Sequence, residues 1–226
     1  RGPALRLGMN PVRLVHADAV LECHCQDPFN PHPVFPQWSP HPVYPYPFWG
    51  SMTRNAVQRR YAMPALENDY LRVTVAADIG GRIWDIYDKI GKRHLANYNT
   101  GVRSYNAGFG LNYTTGGLEI NYPYAHSCTT NAPREISFER GADGSAAIVV
   151  SEYERIWRTR WSVAIRLRSG CAAVEQEVRL YNRTPMDSRY MYWANCGFVL
   201  KPNTRFLFPE TEGAMHGQER NTFSWP

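Results

Sequence analysis

The sequence predicts an all-β, antiparallel sandwich, and three observations carry that prediction. Apolar and polar residues alternate over short runs from Leu66 onward, the runs end in Gly-, Asn- and Asp-containing turns, and no 3.6-residue apolar period is present. Runs joined directly by tight turns pair with their neighbours, which gives a meander of two packed sheets.

Tyr70–Val75 is the first run, closed by Asp78-Ile79-Gly80-Gly81. Arg82–Tyr87 follows. Strict alternation puts Ile83, Asp85 and Tyr87 on one face and Trp84 and Ile86 on the other. Asp88-Lys89-Ile90-Gly91-Lys92 then turns the chain, and Gly141-Ala142-Asp143-Gly144 joins Ile136–Arg140 to Ala146–Tyr153. Trp161, Val163, Ile165 and Leu167 alternate with Ser162, Ala164 and Arg166. After Ser169-Gly170, Val174, Val178 and Leu180 alternate with Glu175, Glu177 and Arg179. Tyr181–Pro185 is a further turn, ahead of a strand expected from Arg189 to about Leu200.

The start of the chain differs. Eight prolines fall between Pro28 and Pro47, and proline removes a backbone donor while biasing the preceding residue toward extended conformations. From the residues alone, 1 to about 63 are therefore expected to be an irregular, proline-rich arm; the resemblance described below draws the start of the domain back to about Pro45, leaving 1–44 as the arm and 45–226 as the sandwich domain. Tyr44, Tyr46, Phe48 and Trp49 favour an arm laid over the domain, with disorder as the alternative. The first residue is Arg and the last three are Ser-Trp-Pro, so truncation at both ends is expected.

Bulk properties narrow the function classes. Hydrophobic residues make up 43% of 226, enough for a sizeable core, and the 13% aromatic share suits both a β core and a sugar-stacking surface. The net charge of +5 is not gathered into a stripe: Arg155, Arg158, Arg160, Arg166 and Arg168 are interleaved with Glu152 and Glu154 and divide between two strand faces. That argues against nucleic acid. No run approaches the ~20 apolar residues that span a bilayer, which argues against a membrane. Five cysteines at irregular spacing are no disulfide framework, and Cys23-His24-Cys25 lacks the second ligand pair of a structural zinc site. No metal and no cofactor are expected, and reduced thiols fit a cytoplasmic setting.

The segment Gly116–Ser127 concentrates the chemistry. A glycine pair permits close backbone approach, and behind it come Glu119, Asn121, Tyr122, Tyr124 and His126, groups that hydrogen-bond hydroxyls and stack on a pyranose face. Glu119 and His126 are the candidate catalytic pair, one as general base and the other as acid. Arg82, Asn121, Tyr124, Trp193 and Asn195 are the candidate substrate-binding residues. Glu152 is a candidate second carboxylate for glycosidase chemistry. The structural alternatives stay open: Glu119 and His126 as loop residues satisfying backbone donors, Arg82 snorkelling to water, and Asn195 as a buried, hydrogen-bonded core residue.

Leu66-Glu67-Asn68-Asp69-Tyr70-Leu71-Arg72-Val73, Gly80-Gly81-Arg82-Ile83, Tyr87-Asp88-Lys89, Gly116–Ser127, Arg160-Trp161, Leu180–Pro185 and Tyr192-Trp193-Ala194-Asn195 resemble, in order, a bacterial domain of unknown function. That domain is often followed by tetratricopeptide repeats and belongs to the galactose mutarotase-like superfamily. The resemblance spans about Pro45 to Pro226. It implies an antiparallel supersandwich with a sugar-binding concave face, incomplete at the C-terminus of this chain, and a tetratricopeptide-repeat region beyond it. Mutarotases place a catalytic histidine after an asparagine on a central strand, where this chain has Asn195-Cys196. Their known proton transfer is therefore not implied here. The function expected is binding or processing of a mono- or oligosaccharide, by epimerase- or glycosidase-like chemistry if there is turnover. The alternative is a non-catalytic protein-interaction module.

Overall fold

A computed structural model describes residues 10–25, 45–46, 52–106, 112–123, 126–215 and 221–225. The first strands are β1 (Arg13–Val15), β2 (Asp18–Cys25), β3 (Met52–Ala62), β4 (Ala65–Glu67), β5 (Leu71–Ala76) and β6 (Arg82–Asp88). β7 (Arg93–His94), β8 (Gly101–Val102), β9 (Ser104–Asn106), β10 (Asn112–Thr114) and β11 (Leu118–Asn121) follow. The remainder are β12 (Glu135–Arg140), β13 (Ala146–Glu154), β14 (Thr159–Leu167), β15 (Val174–Asn182), β16 (Trp193–Cys196), β17 (Glu212–Met215) and β18 (Asn221–Ser224). Among the described residues there is no helix. The all-β expectation holds, and the pairing is antiparallel apart from β2 with β8.

Three sheets set the architecture. A seven-stranded sheet runs β1-β4-β5-β6-β11-β16, with β7 also paired to β6. One of its faces packs on the four-stranded meander β12-β13-β14-β15, and the apolar alternation of both sheets meets there. Val73, Val75, Ile83 and Ile120 from the large sheet lie against Ile148, Val150, Trp161, Val163, Ile165 and Leu167 from the meander, all essentially without solvent contact. Its other face carries a smaller core, in which Trp84, Ala76 and Ile79 meet Leu21, Cys23, Tyr61 and Val102 of the three-stranded sheet β3-β2-β8.

Three expectations are corrected. The arm over 1–44 is not irregular throughout: Arg13–Val15 pairs with β4, and Asp18–Cys25 pairs with Met52–Ala62. The signal was masked because β3 is polar, with Arg54, Arg59 and Arg60 in its eleven residues. Most of the proline-rich stretch, 26–44 and 47–51, lies outside the described residues. Tyr46, between them, is docked: it is buried, its hydroxyl accepts the Arg155 N–H at 2.7 Å, and the Arg155 guanidinium lies over its ring.

Second, strict alternation fails in β6. The register passes from Thr74↔Asp85 to Val75↔Ile83, so Trp84 is an extra residue, a β-bulge. Ile83 and Ile86 both reach the main core, and Trp84 joins the smaller one. Third, the strand expected over Arg189–Leu200 shrinks to Trp193–Cys196, the only part of that run that pairs with β11.

Candidate functional site

The main core takes Ile120 from β11, so the alternate residues Glu119 and Asn121 project from the opposite face of the large sheet. In the register of β16, Glu119 lies opposite Asn195 and Asn121 opposite Trp193. Leu118 opposes Ile83, which puts Arg82 on the same face as Glu119. Five of the seven expected site residues thus share one surface through sheet register alone. His126 joins them from the loop after β11. Tyr124 lies outside the described residues.

Glu119 is the hub. Its Oε1 accepts Thr130 Oγ1–H at 2.6 Å and Arg82 Nη2–H at 3.3 Å, and its Oε2 is 3.2 Å from His126 Nδ1. Burial pushes its carboxyl pKa up. The His126 hydrogen bond, the Arg82 charge and the Thr130 hydroxyl outweigh burial, and the net result lies below the ordinary 4.5. Glu119 is therefore anionic at neutral pH. It serves as a poor general acid and as a good anchor for an imidazole.

Arg82 does not snorkel to water. Its side chain is 1% exposed, and Nη1 donates to the carbonyls of Thr114 and Gly116 as Nη2 meets Glu119. Burial pushes its pKa down to about 10 against the opposing pull of Glu119. In this structure the guanidinium is a buried counter-ion to Glu119. Gly117, with φ of 63°, makes this geometry possible, because a Cβ there would lie 2.0 Å from the Ile83 carbonyl oxygen.

His126 is the group that meets solvent: its side chain is 26% exposed, and its ring stands edge-on to Trp193 at 4.7 Å between centroids. Trp193 is half-buried and Asn195 exposed, on β16, the last strand of the large sheet among the described residues. Asn121 is fully buried, takes the Ser127 N–H at 3.0 Å, and leaves Nδ2 without a hydrogen-bond partner among the described residues.

Sequence reasoning missed the turn Ser127-Cys128-Thr129-Thr130-Asn131, which binds two carboxylates at once. Thr130 bonds Glu119, while Thr129 Oγ1 donates to Glu152 Oε2 at 3.3 Å. The turn comes this close because Gly80, with φ of 69°, has no Cβ to strike the Thr130 carbonyl. Glu152 is paired with its own arginine, Arg134. Glu119 and Glu152 are thus two separately paired carboxylates, each held by an arginine of its own. The three hydroxyls of Ser127, Thr129 and Thr130 were the available signal for this turn.

A separate open groove of about 680 Å³ crosses the outer face of the four-stranded meander, lined by Ser137, Ser151, Ser162, Arg160, Tyr181 and Arg183 among others. It shares no residue with the Glu119 network.

Residues 38–226 match a family described as a domain of unknown function, DUF5107. A crystal structure of a TPR-domain containing protein from Parabacteroides distasonis ATCC 8503 superposes with a TM-score of 0.80 at 23% identity. The match covers 96% of this chain and 37% of that one, so the chain spans well under two thirds of that protein. At this identity the likeness shows a shared fold.

Proposed function

We propose that this chain, which belongs to the DUF5107 family of domains of unknown function, binds a carbohydrate at the Glu119–His126–Trp193 surface. One observation carries the reading: a partly exposed imidazole, anchored through Nδ1 by a buried carboxylate, stands edge-on to a half-buried indole. An imidazole held by a carboxylate is suited to exchange a hydrogen bond or a proton with a sugar, and an indole face suits the apolar face of a pyranose. Asn195 on the same surface supplies amide hydrogen bonds. In this reading His126 is the group that moves a proton if there is turnover, Glu119 fixes its tautomer, and Arg82 keeps Glu119 anionic.

The ordered series of motifs that resembles the galactose mutarotase-like superfamily supports the same proposal. Cys196 stands where mutarotases place their catalytic histidine, so turnover in this reading needs a different imidazole, that of His126. A following tetratricopeptide-repeat region, as the description of the matched structure suggests, and a cytoplasmic location complete the proposal.

The test is a thermal-shift panel of monosaccharides and linear oligosaccharides against wild type, Glu119→Gln and His126→Ala. A ligand that binds the folded state raises the melting temperature. The expected result is a rise with one sugar class that both substitutions abolish. A panel with no rise at millimolar sugar removes the proposal and favours the interaction module, for which the edge strand β16 is the natural docking element.

A further inference from the structure

Beside the smaller core, in which Trp84 is buried, the face that carries Glu119 continues beyond it. The bulge at Trp84 puts Asp85 and Tyr87 on this face, and β7 pairs with Tyr87 and Asp88. β5 fills the other side of β6 along the whole of Leu71–Ala76, so β7 stands on the side that β11 occupies and extends its line. His94 lies opposite Tyr87, and Glu119 lies level with Arg82. Discounting the bulge, that is four residue rises, ~14 Å along the sheet.

His94 repeats the arrangement at His126. Its Nδ1 is 2.7 Å from Oδ1 of Asp85, whose side chain is 5% exposed, while the histidine side chain is 41% exposed. Tyr98 stacks on the imidazole at 4.3 Å and 13°, and Tyr87 meets it edge-on at 5.2 Å. The carboxylate occupies Nδ1 and leaves Nε2 as the hydrogen-bonding atom for a ligand. Between the two histidines the backbone is stitched through glycines. Gly117 N–H donates to the Asn97 carbonyl at 2.9 Å, Asn97 N–H to the Gly197 carbonyl at 2.8 Å, and Gly197 N–H to the Gly117 carbonyl at 3.2 Å. Neither glycine raises a side chain from that floor.

We propose that Asp85, His94 and Tyr98 form a second subsite, which holds the far end of a linear oligosaccharide whose first ring lies at His126 and Trp193. The proposal rests on the carbohydrate reading above and names its ligand class: a chain of several sugars rather than a monosaccharide. A span of ~14 Å exceeds one pyranose ring. Nε2 of His94 accepts a sugar hydroxyl, and the Tyr98 ring, 41% exposed, packs on a pyranose face.

Isothermal titration of glucose, galactose and mannose, and of a linear β-1,4-linked trisaccharide of each, tests this with wild type, His94→Gln and Tyr98→Ala. In wild type a trisaccharide binds more tightly than its monosaccharide. Each substitution weakens the trisaccharide about tenfold, the effect of one hydrogen bond or one stacking contact, and leaves the monosaccharide unchanged. Equal wild-type affinity for the two lengths, or variants that keep the full trisaccharide affinity, overturns the subsite and spares the carbohydrate reading. Wild type that binds none of these sugars overturns both.

Discussion

Two buried arginine–glutamate pairs sit on either side of one turn, and they differ in what closes them. Arg82–Glu119 is closed by His126, whose imidazole opens onto Trp193 and solvent. Arg134–Glu152 is closed by Trp161, which is fully buried, lies 5.2 Å from the Arg134 guanidinium, and donates its indole N–H to Glu152 Oε2 at 3.2 Å. Both guanidinium groups leave Nε unpaired among the described residues, and both carboxylates take a threonine hydroxyl from the same turn. A buried ion pair is therefore not by itself a sign of function. The pair sealed by an indole fastens the meander to the turn; the pair sealed by an imidazole has a titratable group at the surface.

The two pairs are expected to behave alike when the cation is removed. Arg82→Met strands a buried carboxylate and Arg134→Met one that is 13% exposed, and each is expected to cost about 3–5 kcal/mol, with Arg134→Met at the lower end, read as a lower urea midpoint. Replacing both partners, as in Arg82→Met with Glu119→Leu, recovers much of that loss, because two apolar groups leave no uncompensated charge. A cost for either single variant no larger than ~1 kcal/mol, the scale of a surface pair, contradicts the burial on which the comparison stands.

Removing the anion is expected to separate them. Glu119→Gln and Glu152→Gln each lose charged hydrogen bonds, about 1.5–3 kcal/mol, but only Glu119→Gln abolishes a sugar-induced thermal shift. The pH dependence sharpens the point. Glu119 has a folded pKa below its ordinary 4.5, so its stabilisation is complete above that value and is lost as pH falls through the lowered one. The stability gap between wild type and Glu119→Gln is thus wide at pH 7 and closes on acidification below 4.5. A gap that stays constant from neutral into that acid range means that Glu119 is not held as an anion.

Most of the fold was legible in the sequence because the meander β12–β15 alternates cleanly and its turns carry Gly and Asp. β2 and β3 were not legible, since polar residues on β3 hide its period and prolines surround the segment. The Trp84 bulge was invisible for a related reason: alternation is read one strand at a time, whereas a bulge is a property of two. At the site, Glu119 and His126 stood out as unusual residue types in a glycine-bracketed loop, and the structure brings them together. Arg82 was legible as important but not as buried. Thr130 and the Asp85–His94 pair depend on loop closure and register between distant strands, which residue types do not announce.

The smallest effect discriminates best. Trp161→Phe removes a ring atom set from a site with 0% exposure and deletes the donor to Glu152, so a loss of about 1–3 kcal/mol is expected from cavity and hydrogen bond together. Trp193→Phe acts on a half-buried edge-strand residue, so its stability change is expected to stay within about 0.5 kcal/mol. The same substitution narrows the face offered to a pyranose and is expected to reduce the sugar-induced thermal shift. Equal destabilisation by the two tryptophan variants would make Trp193 a core residue like Trp161, and the histidine beside it would then be sealed as tightly as the second pair. A thermal shift that survives Trp193→Phe undiminished, with stability unchanged, moves the sugar contact away from the indole and onto the Asn195 side of the edge strand.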